Sequence, residues 1–163
     1  MEPNSTGRLP NLAVGPADVS RLKRELASLN EYLQQASLRG QADIKLPKTS
    51  RMLDELATIN KLNFLEAPAR QAAANFLEAV LKAAPVVHIS LATDPSSAFT
   101  DKMISWFRQN VHPLLLLQVG LQPSIAAGCV VRTPNKQYDL SVRKHFAGQR
   151  PVLIDKLREL AAA

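Results

Sequence analysis

At Pro85 the periodicity of the chain changes, and that switch limits the fold more than any other feature. Before it, apolar residues recur at helical spacing: Val19, Leu22, Leu26, Leu29 and Leu33 follow one another at intervals of three and four. After it comes Val86-Val87-His88-Ile89-Ser90-Leu91, β-branched and partly alternating, the pattern of a strand. A chain that changes period in this way reads as amphipathic helices followed by a small mixed β-sheet domain, and α+β is the expected class. A hydrophobic share of 46% with only 5% aromatic residues requires an aliphatic core rich in Leu, Val and Ala, which suits helices laid on a small sheet.

Residues 1–17 hold Pro3, Gly7, Pro10, Gly15 and Pro16 among polar neighbours and are expected to form a flexible tail. A helical region is expected over 18–84, with helices over about 18–38, 51–66 and 69–84. Asp18 is the expected N-cap of the first, and Gly40 its stop; Thr49 and Ser50 precede the second. Pro68 either kinks one long helix or opens another, and the Ala-rich stretch behind it is a strong helix former. The stripe Leu22, Leu26, Leu29, Leu33 is narrow, with Arg21, Lys23, Arg24, Glu25 and Glu31 on the other faces. Such a helix pairs along one seam, either with a partner, which makes these leucines partner-binding candidates, or with its own domain.

A small α+β domain is expected over 85–163, in the order strand, helix, three strands, helix. Asp94-Pro95-Ser96-Ser97 starts a helix running to about Asn110; strands follow over about 114–119, about 127–133 and through Tyr138. The turns between them fall at Gln122-Pro123-Ser124-Ile125 and Pro134-Asn135-Lys136. Arg132 and Asp139 flank the second turn and are expected to face each other across a hairpin. A last helix is expected over 151–160, with Val152, Leu153, Leu157 and Leu160 facing inward.

No residue set for catalysis stands out. The six glycines are scattered, with no phosphate loop opening a helix, and no Ser lies in a nucleophile elbow. His88, His112 and His145 are far apart and lack metal-ligand spacing; Cys129, the one cysteine, sits in an apolar strand where a thiol is inert. No catalytic residue, cofactor or metal is therefore expected. The net charge is +6, and the excess lies late: Lys and Arg outnumber Asp and Glu by 11 to 9 over residues 1–84 but by 9 to 5 over 85–163. Arg132, Lys136, Arg143, Lys144 and Arg150 face only Asp139 in their neighbourhood, a basic patch suited to phosphates, to anionic lipid headgroups or to an acidic protein surface. No run spans a bilayer and the first residues lack a signal pattern, so the chain reads as cytoplasmic.

The last half of the chain, over about 85–160, resembles the C-terminal domain of the delta subunit of rotary ATP synthases, the oligomycin sensitivity-conferring protein family. The residues that carry the likeness are the turn Gln122-Pro123-Ser124-Ile125-Ala126-Ala127-Gly128, the strand Cys129-Val130-Val131-Arg132 and the close Asp139-Leu140-Ser141-Val142-Arg143. Gln122 stands where an acidic residue is usual, Ala127 where the first of two glycines is common, and Leu140 where glycine precedes the serine. Family members also carry a six-helix N-terminal domain that binds the N-terminal helices of alpha subunits, whereas this chain offers two or three helices between Asp18 and Ala84. The resemblance implies a non-catalytic stator subunit on the inner face of the cell membrane, tying peripheral-stalk b subunits to the catalytic head through its alpha subunits. It implies partner contacts through the leucine stripe and through Arg132, Asp139, Arg143 and Lys144. Two other classes stay open on the residues alone: a small basic nucleic-acid-binding module, for which only Tyr138 and Phe146 are available as stacking faces, and an enzyme with an unrecognised site.

Overall fold

The computed structural model describes residues 7–39 and 47–161. Among these residues five α-helices and four strands follow in the order α1 (Pro16–Leu38), α2 (Arg51–Asn60), α3 (Ala67–Ala83), β1 (Val86–Leu91), α4 (Ser97–Asn110), β2 (Leu116–Leu121), β3 (Gly128–Arg132), β4 (Gln137–Ser141) and α5 (Val142–Ala161). The protein is α+β, with the helices first and a four-stranded mixed sheet in the order β2-β1-β3-β4. It separates into two compact units: one takes residues up to Val86 together with Ser97–Leu117, the other Val87–Ser96 with Gln118–Ala163. Helix α4, expected with the sheet, thus groups with the helices.

In the helical unit, α1 lies along α3 and touches α2. Val19, Leu22, Leu26, Leu29 and Leu33 are all at 5% exposure or less and form one cluster with Leu53 and Leu56 of α2 and Ala73, Leu77 and Val80 of α3. The stripe is therefore the chain's own core, each leucine contributing about 1.5–3 kcal/mol by its burial. Of the two pairings open on sequence, the intramolecular one is realised, and Leu22, Leu26, Leu29 and Leu33 are not available to a partner in this fold. Polar clasps fix the edges of this packing. The amide and hydroxyl of Ser50 both donate to the Glu25 carboxylate at 2.6 Å, while the Ser50 hydroxyl accepts from Leu53 N and so caps α2. Arg70, buried in α3, donates to Asn30 of α1 and to the carbonyls of Phe64 and Leu65, pinning the α2–α3 connection. Glu78 of α3 meets Lys82 at 2.8 Å and Lys23 of α1 at 3.3 Å, and these two cations hold its carboxyl below its usual range.

The helix ends differ from the periodic reading in physically simple ways. α1 begins at Pro16, with Gly15 as N-cap; Asp18 sits at the third helical position, where its carboxylate accepts the amides of Gly15 and Val14. α2 stops at Asn60 because Lys61 turns left-handed (φ 52°), six residues before the sequence pattern suggests. Pro68 then opens α3 rather than kinking a longer helix.

The segment expected as a tail is ordered where it is described. Leu9, Pro10 and Ala13 are buried, and Asn60 clamps Arg8 from both sides, accepting its amide and donating to its carbonyl. Arg108 of α4 completes the hold: its guanidinium donates to the carbonyls of Pro10, Ala13 and Leu115. Burial pushes that guanidinium down to about 10, still a cation at neutral pH, with the charge of Glu55 acting the other way. Leu117 N donates to Val14 O at 2.8 Å, which ties this strap to the start of β2. A Cβ on Gly15 would stand 2.8 Å from the Leu117 carbonyl oxygen, which explains the glycine there.

Candidate functional site

The stretch that carries the sequence signature builds the far edge of the sheet and the start of α5. Pro123–Ile125 forms a single 3-10 turn, and Ala127 N then donates to Ile125 O, a γ-turn that holds Ala126 at positive φ (64°). Gly128 follows at φ +87°, where an added Cβ would run into the Leu140 carbonyl oxygen of the paired strand. Gly128→Ala should lower stability by about 2 kcal/mol or more, since it meets both the backbone conformation and that oxygen. A denaturant midpoint unchanged from the parent would show that the hairpin closes in some other way.

β3 pairs antiparallel with β4, Val130 opposite Asp139 and Arg132 opposite Gln137. Arg132 and Asp139 are thus not direct partners, in contrast to the expected pairing. The Thr133–Lys136 turn closes with Thr133 N donating to Lys136 O, and this places Gln137 against Arg132. Arg132 Nε donates to Gln137 Oε1 at 2.9 Å. Asp139 and Arg132 still lie on one sheet face, because a register difference of two residues leaves each side chain on the same side. Asp139 Oδ1 accepts the Ser141 amide at 3.0 Å, and Val142 N donates to Ala127 O. These two bonds turn the chain from β4 into α5, so Asp139 and Ser141 act at the strand-to-helix joint.

α5 is where structure and expectation part most. It begins at Val142 instead of Pro151, and Pro151 lies inside it. Its apolar residues do not face inward: residues 146–160 are all exposed, with Phe146 at 70%, Leu153 at 60%, Leu157 at 57% and Leu160 at 76%. At 3.6 residues per turn, Val142, Phe146, Leu153, Leu157 and Leu160 fall within an arc of about 60°. The result is one apolar seam on the helix, with Pro151 between Phe146 and Leu153. A hollow of about 550 Å³ opens on it, lined by Phe146, Gln149, Arg150, Leu153 and Lys156 among others. Tyr138 and Leu140, which share a face of β4, are exposed as well. An uncovered set of large apolar side chains of this kind is a candidate contact surface.

Of the surface residues picked out on sequence, Arg143 lies exposed in the first turn of α5, next to this seam, and Lys144 follows it, its side chain outside those described. Arg132 and Asp139 belong to the hairpin beneath that turn. The seam itself is legible once a helix is allowed to run through Pro151, since Val142 and Phe146 before it and Leu153, Leu157 and Leu160 after it keep one helical phase. The helical unit has a smaller hollow, about 280 Å³, lined by Gly7, Leu56, Leu62, Ala73 and Phe76 with Asn60, and among the described residues no titratable side chain lines it. Among the described residues no group of three His, Cys, Asp or Glu side chains is placed to hold a metal ion, and no helix is long and apolar enough to cross a membrane. No protein-family model matches the chain, and no curated protein matches it.

Proposed function

We propose that this chain is a non-catalytic peripheral-stalk subunit of a proton-translocating rotary ATP synthase, joining stalk b subunits to the catalytic head through its alpha subunits. The observation that carries the reading is the uncovered seam of α5: it lies in the same unit as Gln122–Arg143, the residues that carry the sequence likeness, and it is the kind of surface an attachment subunit must present. The buried leucine stripe moves the expected attachment from α1 to α5. The chain would then sit on the inner face of the cell membrane by way of the complex.

Purification of ATP synthase from native membranes tests this directly. The chain should follow the alpha and b subunits through successive steps, and a Leu153→Asp, Leu157→Asp variant should be lost from the complex while its helical unit stays folded. A chain found consistently outside the complex would end the proposal. A second reading, single-stranded nucleic-acid binding, rests on Tyr138 and Phe146 being exposed in the same basic unit. It requires binding to oligonucleotides that weakens steeply with salt, and no binding at low salt removes it.

A further inference from the structure

The charges around the seam are sorted by side. Taken at 3.6 residues per turn, Arg143 and Arg150 border one edge of the apolar arc, and Lys156 borders the other, each within about 40° of it. The acids of the helix lie elsewhere: Asp155 and Glu159 fall on the far side, and Asp155 is met there by Arg158 at 3.8 Å. Arg143, Arg150 and Lys156 are all exposed. Two of them, Arg150 and Lys156, also line the hollow that opens between Phe146 and Leu153.

From this arrangement we propose that α5 receives one amphipathic helix whose apolar seam is flanked on both sides by carboxylates, and that it rejects a second copy of itself. Residues bordering an apolar helix seam decide which helices pair, through attraction or repulsion with the borders of the partner. Both borders of α5 are cationic, so two α5 helices would set cation against cation whether they ran parallel or antiparallel. A carboxylate-bordered helix meets opposite charge on both edges and can place a large apolar side chain in the hollow between Phe146 and Leu153. The proposal rests on the reading of α5 as an attachment surface, and adds the chemistry of what attaches.

The experiment uses the full chain and two labelled helical peptides that share a leucine seam, one bordered by glutamate and the other by lysine. Fluorescence anisotropy should show the glutamate peptide binding at least about tenfold tighter than the lysine peptide, with the gap shrinking as salt is raised. The variant Arg143→Glu, Arg150→Glu, Lys156→Glu changes exposed side chains only and should reverse the order of the two peptides. Equal binding, no binding of either, concentration-dependent dimers of the chain, or binding to anionic lipid vesicles in place of the peptides would each overturn the proposal. Purification from native membranes separates it from the stalk reading. If the triple variant stays in ATP synthase as well as the parent does, the charge proposal falls and the stalk reading stands. If the peptide preference holds for a chain that is never found in the complex, the stalk reading falls and the charge proposal stands.

Discussion

Replacing Leu26 and Leu29 together by asparagine will unfold the helical unit. Both side chains are at 4% exposure or less in the cluster formed by α1, α2 and α3. Emptying a leucine site costs about 2–5 kcal/mol, and each asparagine also buries an amide with no partner, at about 1–3 kcal/mol more. Two such changes match or exceed the roughly 5–15 kcal/mol that holds an ordinary domain together. Circular dichroism should lose most of its helical signal, and the amides of α3 should exchange freely. A chain that keeps its helices and merely loses a binding partner would show that the stripe is a docking seam after all.

Arg108→Ala should be among the most damaging single polar changes. The guanidinium serves three carbonyls, those of Pro10, Ala13 and Leu115, in a partly buried setting. Hydrogen bonds from a charged donor are worth about 1.5–3 kcal/mol each, and water reaching the freed strap offsets part of that, so a loss of about 3 kcal/mol is expected. The Leu117 amide, which donates to Val14 O, reports on it: its exchange should approach that of an open backbone while α1 stays protected. Arg108→Lys should restore little, because an ammonium cannot reach in a fork to three acceptors. Unchanged protection at Leu117 would mean that the strap is held by Leu9 and Ala13 alone.

The same residues show what a sequence pattern carries and what it omits. Spacing placed α1, α3, β1 and α4 within a few residues of their ends, because an apolar face at a fixed period needs a helix or strand to gather it. It did not say what covers that face. The stripe of α1 and the stripe of α5 have similar spacing, yet Leu26 is buried in its own chain and Leu153 is open to solvent. Pro151 hid the length of α5, since a proline is more usual at a helix start than inside one. Leu9 and Ala13 lie in a segment with no period at all, and only the tertiary clasp of Arg108 reveals that they belong to the core. The hairpin register turned on the four-residue turn between Arg132 and Gln137, a local geometry that charge pairing does not encode. Gln122 to Arg143, by contrast, was legible as turn, strand and close, and the bonds at Ala127, Asp139 and Ser141 give that order its physical cause.

The helical unit is interrupted in sequence by Val87–Ser96 and is completed only by Ser97–Leu117. During synthesis, therefore, α1, α2 and α3 emerge before the residues that close their unit: Arg108, which anchors the strap, and Leu116, which joins the core cluster, come off the ribosome later. β1 is already exposed by then, waiting for β3. The two units mature in an interleaved order, and a fragment ending at residue 84 would lack part of its own core.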